Sequence, residues 1–510
     1  MATRALLIEE ESLLPVRTSI THPLQIAEIR PAPAMGKLGL TLCPGKKQAG
    51  ALTGPWDRDL CLDLDVVAAW NAAAVVTLVE GHELERLHVP ELGQRVLDRH
   101  IDWYHLPIRD RGVPDDAFEA AWAQVGEGLR ARLRSGFNVL VHCMGGLGRA
   151  GTIASRVLVE LGWSASDAVQ EVRRVRPGAI ETEEQLDFVH SVIPVDEHRP
   201  DPGIGAVRER AIGSLLGLAV GDALGTTLEF SKRDSRDRLT DMVGGGPFRL
   251  EPGQWTDDTS MALALADSLA ACNGVDEHDL MTRFLSWTED GAYSSNGRCF
   301  DIGNTVRGAL NRFRMSGNPV SGATDAYSAG NGSLMRLAPV AIRYWDDPDQ
   351  LQEAAARQSR TTHGAAEAVD ACVAFAGLLA SAIAGTPRTK VLDNLEPNSA
   401  GAIGPILAGS WRGKPRDAIR SSGYVAHSLE AALWCVARTG SFAEAVLLAA
   451  NLGDDADTVA AITGQLAGAI YGRGGIPPSW RERLSQYERI EQFAAALFDH
   501  TGKQLGPSRD

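Results

Sequence analysis

The first part of the chain alternates short apolar runs with helical apolar patterns. Leu38–Leu42 reads as a strand, Leu60 to Ala74 as a helix, and Val75–Val79 as a buried strand. Trp103–Ile108 gives a further strand that ends in the polar loop Arg109–Asp115. Phe118 to Arg134 has helical spacing, and Asn138–His142 is a strand that runs into a glycine loop and then a helix. Such alternation implies a mostly parallel sheet with helices packed on it. The polar, Pro-rich stretch Val195–Gly203 reads as a linker. Beyond it Ala- and Gly-rich helical patterns take over: Ala211 to Val220, Asp279 to Glu289, Thr305 to Phe313, Pro348 to Thr361, Ala365 to Ala384, Ser428 to Arg438, Phe442 to Asn451, Val459 to Ile470 and Trp480 to Phe498. The expected fold class is therefore multidomain, with an α/β domain over 1–195, a linker over 196–205 and an all-α domain over 206–500.

Length and composition narrow this picture. At 510 residues the chain is too long for one compact domain. An apolar content of 44% and a charged content of 23% are those of an ordinary soluble globular protein. The net charge of −15 argues against nucleic acid or an anionic membrane as partner. Seven scattered cysteines make no disulfide framework. Met1–Arg4 leads quickly into Glu9–Glu11, which does not read as a secretory signal, and the apolar run Ala371 to Ala384 reads as too short for a bilayer. A cytoplasmic location is the expectation.

Two acidic clusters change the picture most. Thr256-Asp257-Asp258-Thr259 stands immediately before the apolar stretch Met261–Ala266, and Asp454-Asp455-Ala456-Asp457-Thr458 stands before Val459 to Ile470. Thr and Asp suit a helix N-terminus, but capping alone does not need four consecutive oxygen-bearing residues. A hard cation does, because it must replace lost water with several oxygens. The plainer reading is a solvated acidic surface, but like charges entering Gly/Ala-rich helices would repel strongly without a cation between them. The two clusters are therefore expected to meet and hold two divalent cations.

The glycine loop carries a second chemistry. Cys143 and Arg149 bracket Met144, Gly145, Gly146, Leu147 and Gly148 between a strand and a helix. The loop amides make an anion cradle at the helix N-terminus, and Arg149 closes it with a bidentate grip on phosphate. The same positive field favours a thiolate nucleophile at Cys143. A buried core cysteine beside an ordinary turn is the plainer alternative. A nucleotide-binding Walker loop is excluded, since no Gly-Lys-Ser/Thr follows.

His142 to Arg149, with Leu38–Leu40, the Pro107 to Asp115 loop and Gly178–Ile180, resembles the dual-specificity protein phosphatases, in particular those like the cyclin-dependent-kinase-associated phosphatase. The resemblance implies that Cys143 is the nucleophile, Arg149 the phosphate clamp and Asp110 the general acid, with Asp115 as runner-up. It also implies a phosphorylated substrate and a phosphocysteine intermediate. Two positions depart from the family: Ala150 stands where a hydroxyl is usual, with Thr152 as a candidate to compensate, and Glu181 stands where tyrosine phosphatases tend to have Gln.

Gly217–Gly225, Trp255–Thr259 and Asp455–Thr458 resemble the ADP-ribosylglycohydrolase family, which includes the glycohydrolase that reactivates dinitrogenase reductase. The resemblance implies an all-α fold with two Mg²⁺ or Mn²⁺ ions on Thr256, Asp257, Asp258, Asp455, Asp457 and Thr458. It further implies mechanistic roles for Glu229 and for Asp301, the latter orienting a guanidinium leaving group. ADP-ribose would lie on Asn331, Gly332, Ser333 and His363, although a lone histidine such as His363 is as readily structural. The expected function is a bifunctional hydrolase acting on a phosphorylated substrate and on ADP-ribose or ADP-ribosylated protein. The competing reading is that one half, the phosphatase half above all, is a silent binding module.

Overall fold

The computed structural model describes residues 15–51, 54–393, 399 and 401–499, so the Met1–Glu11 stretch read for a leader lies outside the described residues. The chain divides into two compact units, residues 1–126 with 137–196 and residues 127–136 with 197–510.

The first unit is built on a five-stranded sheet of β1 (Ala27–Ile29), β2 (Leu38–Leu42), β3 (Ala72–Thr77), β4 (Asp102–His105) and β5 (Asn138–Cys143). Its order is β1-β2-β5-β3-β4, with only β1 antiparallel to its neighbour. The central strand β5 is buried on both faces from Val139 onward, with the apolar run Val139–Val141 at its middle, and it ends at Cys143. Open parallel sheets place ligands at the carboxyl ends of their strands, and the glycine loop leaves from that edge. The helix expected over Leu60 to Ala74 ends at Ala69, and Ala72–Ala74 belong to β3. Asn71 turns the chain with φ 59°, and the alanines that follow are buried in the sheet; alanine fits either state, so periodicity could not place the boundary. The strand read at Trp103–Ile108 is confined to Asp102–His105.

Residues 192–202 form no helix or strand, and the helix Ile204–Gly225 follows in the second unit. This helix packs antiparallel on Ala456–Gly475 through glycines spaced four apart. A Cβ on Gly213, Gly217, Gly221 or Gly225 would lie 2.4, 2.2, 2.1 or 2.4 Å from the carbonyl oxygen of Gly468, Gly464, Ala460 or Ala456. Only hydrogen-sized side chains allow backbones so close. Antiparallel packing sets the C-terminal end of the first helix, with Asp222, beside the N-terminal end of the second, with Asp455 and Asp457.

The single helix expected over Trp480 to Phe498 is two, Pro478–Arg483 and Tyr487–Asp499. Hydrogen bonds from Ser485 N–H to Gly253 O and from Trp255 Nε1–H to Ser485 O pull the intervening chain aside, with Gln486 at φ 54°. Helices at 204–228 and 366–384 are long and apolar enough to cross a membrane, contrary to the short-run reading of Ala371 to Ala384, and 94% and 61% of those windows are buried inside the protein.

Candidate active sites

Cys143 leaves β5 into the loop Met144–Leu147, and the helix Gly148–Glu160 follows directly. Two cations, the buried Lys46 and the half-buried Arg176, hold the loop by its carbonyls: Lys46 Nζ donates to Met144 O at 3.3 Å, and Arg176 donates to Gly145 O at 2.9 Å and Gly146 O at 3.0 Å. With their carbonyls drawn outward, these peptides are left to present N–H groups to the interior of the cradle. Burial lowers both cations' affinity for their protons, Lys46 to about 8. Gly146, at φ 69°, admits no Cβ, which would sit 2.5 Å from the Thr41 backbone.

Arg149 is buried, and both of its terminal nitrogens are hydrogen-bonded. It donates to both oxygens of the buried Glu83 (2.5 and 3.0 Å), to Ile108 O (2.9 Å) and to Asp110 Oδ1 (3.1 Å). Burial opposes the charge on Glu83, but the Arg149 hydrogen bonds, the Glu80 N–H and the charges of Arg149 and Arg86 together outweigh it and hold that carboxyl below its ordinary range. Asp110 is therefore at the mouth of the loop, whereas Asp115 accepts from Phe118 N–H and caps the helix Asp116–Arg134. Thr152 does not face the nucleophile: its hydroxyl donates to Gly148 O at 2.9 Å. Glu181 Oε2 accepts the Gly148 N–H at 2.9 Å, one of the amides expected to cradle phosphate. The preceding Ile180 is turned to φ 61°, an unusual conformation for a β-branched residue, and Arg173 braces it through Ala179 O and Ile180 O. His142, pushed down to about 3 by burial, stays neutral and hydrogen-bonds Thr77 at 2.7 Å.

In the second unit the helices Asp257–Ala271 and Ala456–Gly475 both begin at one acidic centre. One carboxylate oxygen from each of Asp222, Asp258 and Asp457 lies within 4.8 Å of the others, and the same holds for Glu229, Asp455 and Asp457. Asp457 belongs to both triads. Thr256 Oγ1 lies 3.2 Å from Asp258 Oδ2 and 3.3 Å from Asp457 Oδ2. Asp258 Oδ1 is buried without a hydrogen-bond partner, a costly state that a cation relieves. Burial, then the charge of Asp457, pushes Asp222 and Asp455 up to about 7 and Asp301 to about 11. The same causes raise Glu229 and Asp257, and burial with Asp222 raises Asp258. These carboxylates cannot all ionise together unaided, and an oxygen-only donor set suits hard divalent cations.

Asp222 is a residue that sequence reasoning missed as part of the site. Its two oxygens accept four hydrogen bonds, from the N–H and hydroxyl of Thr256 and of Thr259, and so fix the first acidic loop. The signal was present: a lone carboxylate in the apolar, Gly-rich stretch 211–225. Glu83 was missed because Gly81–Arg86 reads as a charged surface helix, with Glu80 and Glu83 forming its capping box.

A cavity of about 720 Å³ opens on the centre, and Glu229, Asp257, Asp301, Asp455, Asp457 and Thr458 line it. Asn331, Gly332 and His363 line its other wall, and Asn331 Nδ2 donates to Asp455 Oδ2 at 2.7 Å. Ser333 does not reach it; it is fully buried and accepts from Ser359 and Cys372. His363 is neutral, lowered to about 3 by burial, and backs the glycine wall: a Cβ on Gly332 would be 2.7 Å from its ring.

A thiol loop in one unit and a carboxylate centre in the other define a hydrolase that joins a phosphatase domain to an ADP-ribosyl-cleaving domain. The chain belongs to the ADP-ribosylglycohydrolase family, which matches residues 205–506, and the Swiss Army Knife protein DSP-PTPase phosphatase domain matches residues 59–189. It is 48% identical over 291 residues to the ADP-ribosylarginine hydrolase Tri1 of Pseudomonas putida, covering 57% of this chain and 78% of that one. It is 34% identical to the ADP-ribosyl-[dinitrogen reductase] glycohydrolase of Rhodospirillum rubrum, covering 55% and 91% of the two chains. The solved structure of an ADP-ribosylglycohydrolase-related protein complex matches with a TM-score of 0.52 and 42% identity, over 58% of this chain and 99% of that one.

Proposed function

We propose that the second unit removes ADP-ribose from arginine, and that the first hydrolyses a phosphate ester through a phosphocysteine. The reading of the second unit is carried by one observation: two carboxylate triads that share Asp457 on the wall of a cavity large enough for a nucleotide. Thr256, Asp257, Asp258, Asp455, Asp457 and Thr458 would hold two Mg²⁺ or Mn²⁺ ions, which supply Lewis-acid stabilisation of charge at the ribose when bound. Asp222 keeps Thr256 and Asp258 in register through its four hydrogen bonds. Asp301, which lines the cavity, would accept hydrogen bonds from a guanidinium and orient it as leaving group. Glu229 accepts the Ala456 and Asp457 amides and so fixes the second acidic loop against the first. The glycine wall at Gly330 and Gly332 lets a pyrophosphate approach the backbone closely.

In the first unit Cys143 Sγ attacks phosphorus, Arg149 stabilises the equatorial oxygens, and Asp110 protonates the leaving oxygen. A second reading, in which this unit holds phosphate but turns it over poorly, is favoured by the Glu181 carboxylate on the Gly148 amide and by the diverted Thr152 hydroxyl. The test is ADP-ribose release from ADP-ribosyl-arginine and phosphate release from an aryl phosphate, each with Asp258→Asn and Cys143→Ser. Each substitution is expected to abolish one activity and spare the other. Arginine release that survives both Asp258→Asn and chelation would refute the metal-centre reading, and aryl-phosphate turnover equal in wild type and Cys143→Ser would leave only the phosphate-holding role.

A further inference from the structure

A second cavity, of about 640 Å³, adjoins the acidic one and shares only Glu229 and Phe230 with it. The residues placed here on the nucleotide, Gly330, Asn331, Gly332 and His363, line the first cavity and not the second. A substrate held across the acidic centre with its nucleotide on that wall therefore directs its other end past Glu229 and Phe230.

The second cavity is built to receive something. Phe230 and Val243 line it and are 68% and 56% exposed, unusual for large apolar side chains. Phe230, at φ 58°, begins a row of rings: Phe248 is 6.2 Å from it and Phe300 5.3 Å further on, next to Asp301. The wall is held in place, since Arg233 donates to Leu452, Arg416 and Ile419 carbonyls and Leu239 exchanges two hydrogen bonds with Asn451. Apart from Glu229, which is buried at the junction with its carboxylate on the Ala456 and Asp457 amides, the charges lining it are Arg236 and Arg238 against Asp237, in a chain whose net charge is −15, and Arg236 is exposed.

We propose that this cavity docks the polypeptide carrying the ADP-ribosylated arginine, and that it selects segments with acidic and apolar side chains beside that arginine. The inference rests on the hydrolase reading of the acidic centre. It assigns recognition of the acceptor to a surface formed by Phe230, Val243 and the two arginines, which leaves the chemistry untouched. Rim charges of this kind alter encounter and ground-state binding more than the bond-breaking step.

The test uses the full chain with Mn²⁺ and three substrates: free ADP-ribosyl-arginine, and an arginine-ADP-ribosylated peptide with either Asp/Glu or Lys flanks. Wild type is expected to favour the acidic peptide. Arg236→Glu should raise KM for the acidic peptide about fivefold, lower it for the Lys-flanked peptide, and leave kcat and free ADP-ribosyl-arginine turnover unchanged. Arg236→Ala should fall between. An acidic-to-basic preference that is the same in wild type and Arg236→Glu, with free ADP-ribosyl-arginine still cleaved, overturns the docking site alone. Failure of wild type to cleave free ADP-ribosyl-arginine overturns the hydrolase reading and the docking site with it.

Discussion

Gly221→Ala puts one methyl group where the two long helices of the second unit touch. Its Cβ would lie 2.1 Å from Ala460 O and 2.5 Å from Ala460 C. Ordinary contact begins near 3.4 Å, so the backbones must part by about 1.3 Å, and neither neighbour is a side chain that can swing away. Overpacking of this kind costs about 3 kcal/mol. The gain in helix propensity of alanine over glycine offsets about 1 kcal/mol, which leaves a net loss of about 2 kcal/mol. The adjacent Asp222 moves with its helix, away from Asp457 on the other, and affinity for a divalent cation should fall about tenfold or more. Denaturant unfolding with and without Mn²⁺, together with calorimetric titration of Mn²⁺, measures both effects. Gly377→Ala is the control, because a Cβ there meets nothing within 4 Å. That variant should be neutral or slightly stabilising. If Gly221→Ala matches it in stability and in cation affinity, the glycine contact does not set the geometry of the centre.

Other outcomes follow from the electrostatics. Asp222 and Asp455 hold protons up to about pH 7 in the folded cation-free protein, against about pH 4 in an unfolded chain. The folded state then binds more protons between those values, so cation-free stability should fall as pH rises from about 4 to 7, and saturating Mn²⁺ should flatten or reverse that slope; urea midpoints in chelator at several pH values read it. Glu83→Ala strips the bidentate partner from a buried arginine and should cost about 3 kcal/mol of first-unit stability, seen in denaturant unfolding. Glu181→Gln removes a negative charge from the phosphate cradle and should tighten tungstate binding to the Cys143→Ser protein about tenfold, measured by calorimetry.

Much of both sites could be read in the sequence because each is a contiguous loop entering a helix. The strand–loop–helix at Cys143 and the Thr-Asp-Asp-Thr run carry their chemistry within a few adjacent positions. What could not be read comes from far along the chain. Glu83 meets Arg149 across 66 positions, and Glu229 meets Ala456 across 227. Ser333 shows the opposite failure: it sits in the right loop, but the turn at Gly332 sends its hydroxyl into the core toward Ser359 and Cys372. The boundary at Ala69–Ala72 and the break at Gln486 depend on a tertiary sheet and on tertiary hydrogen bonds, neither of which leaves a local periodic trace.

Asp457 sits in both carboxylate triads, and this makes the two cation positions one thermodynamic unit. The first ion to arrive must fix the rotamer of that shared side chain, so the second finds its ligand already in place. Loading should accordingly be cooperative, with molecules at intermediate cation levels mostly bare or mostly filled, and loss of Asp457 should empty both positions where loss of Asp258 or Asp455 empties one.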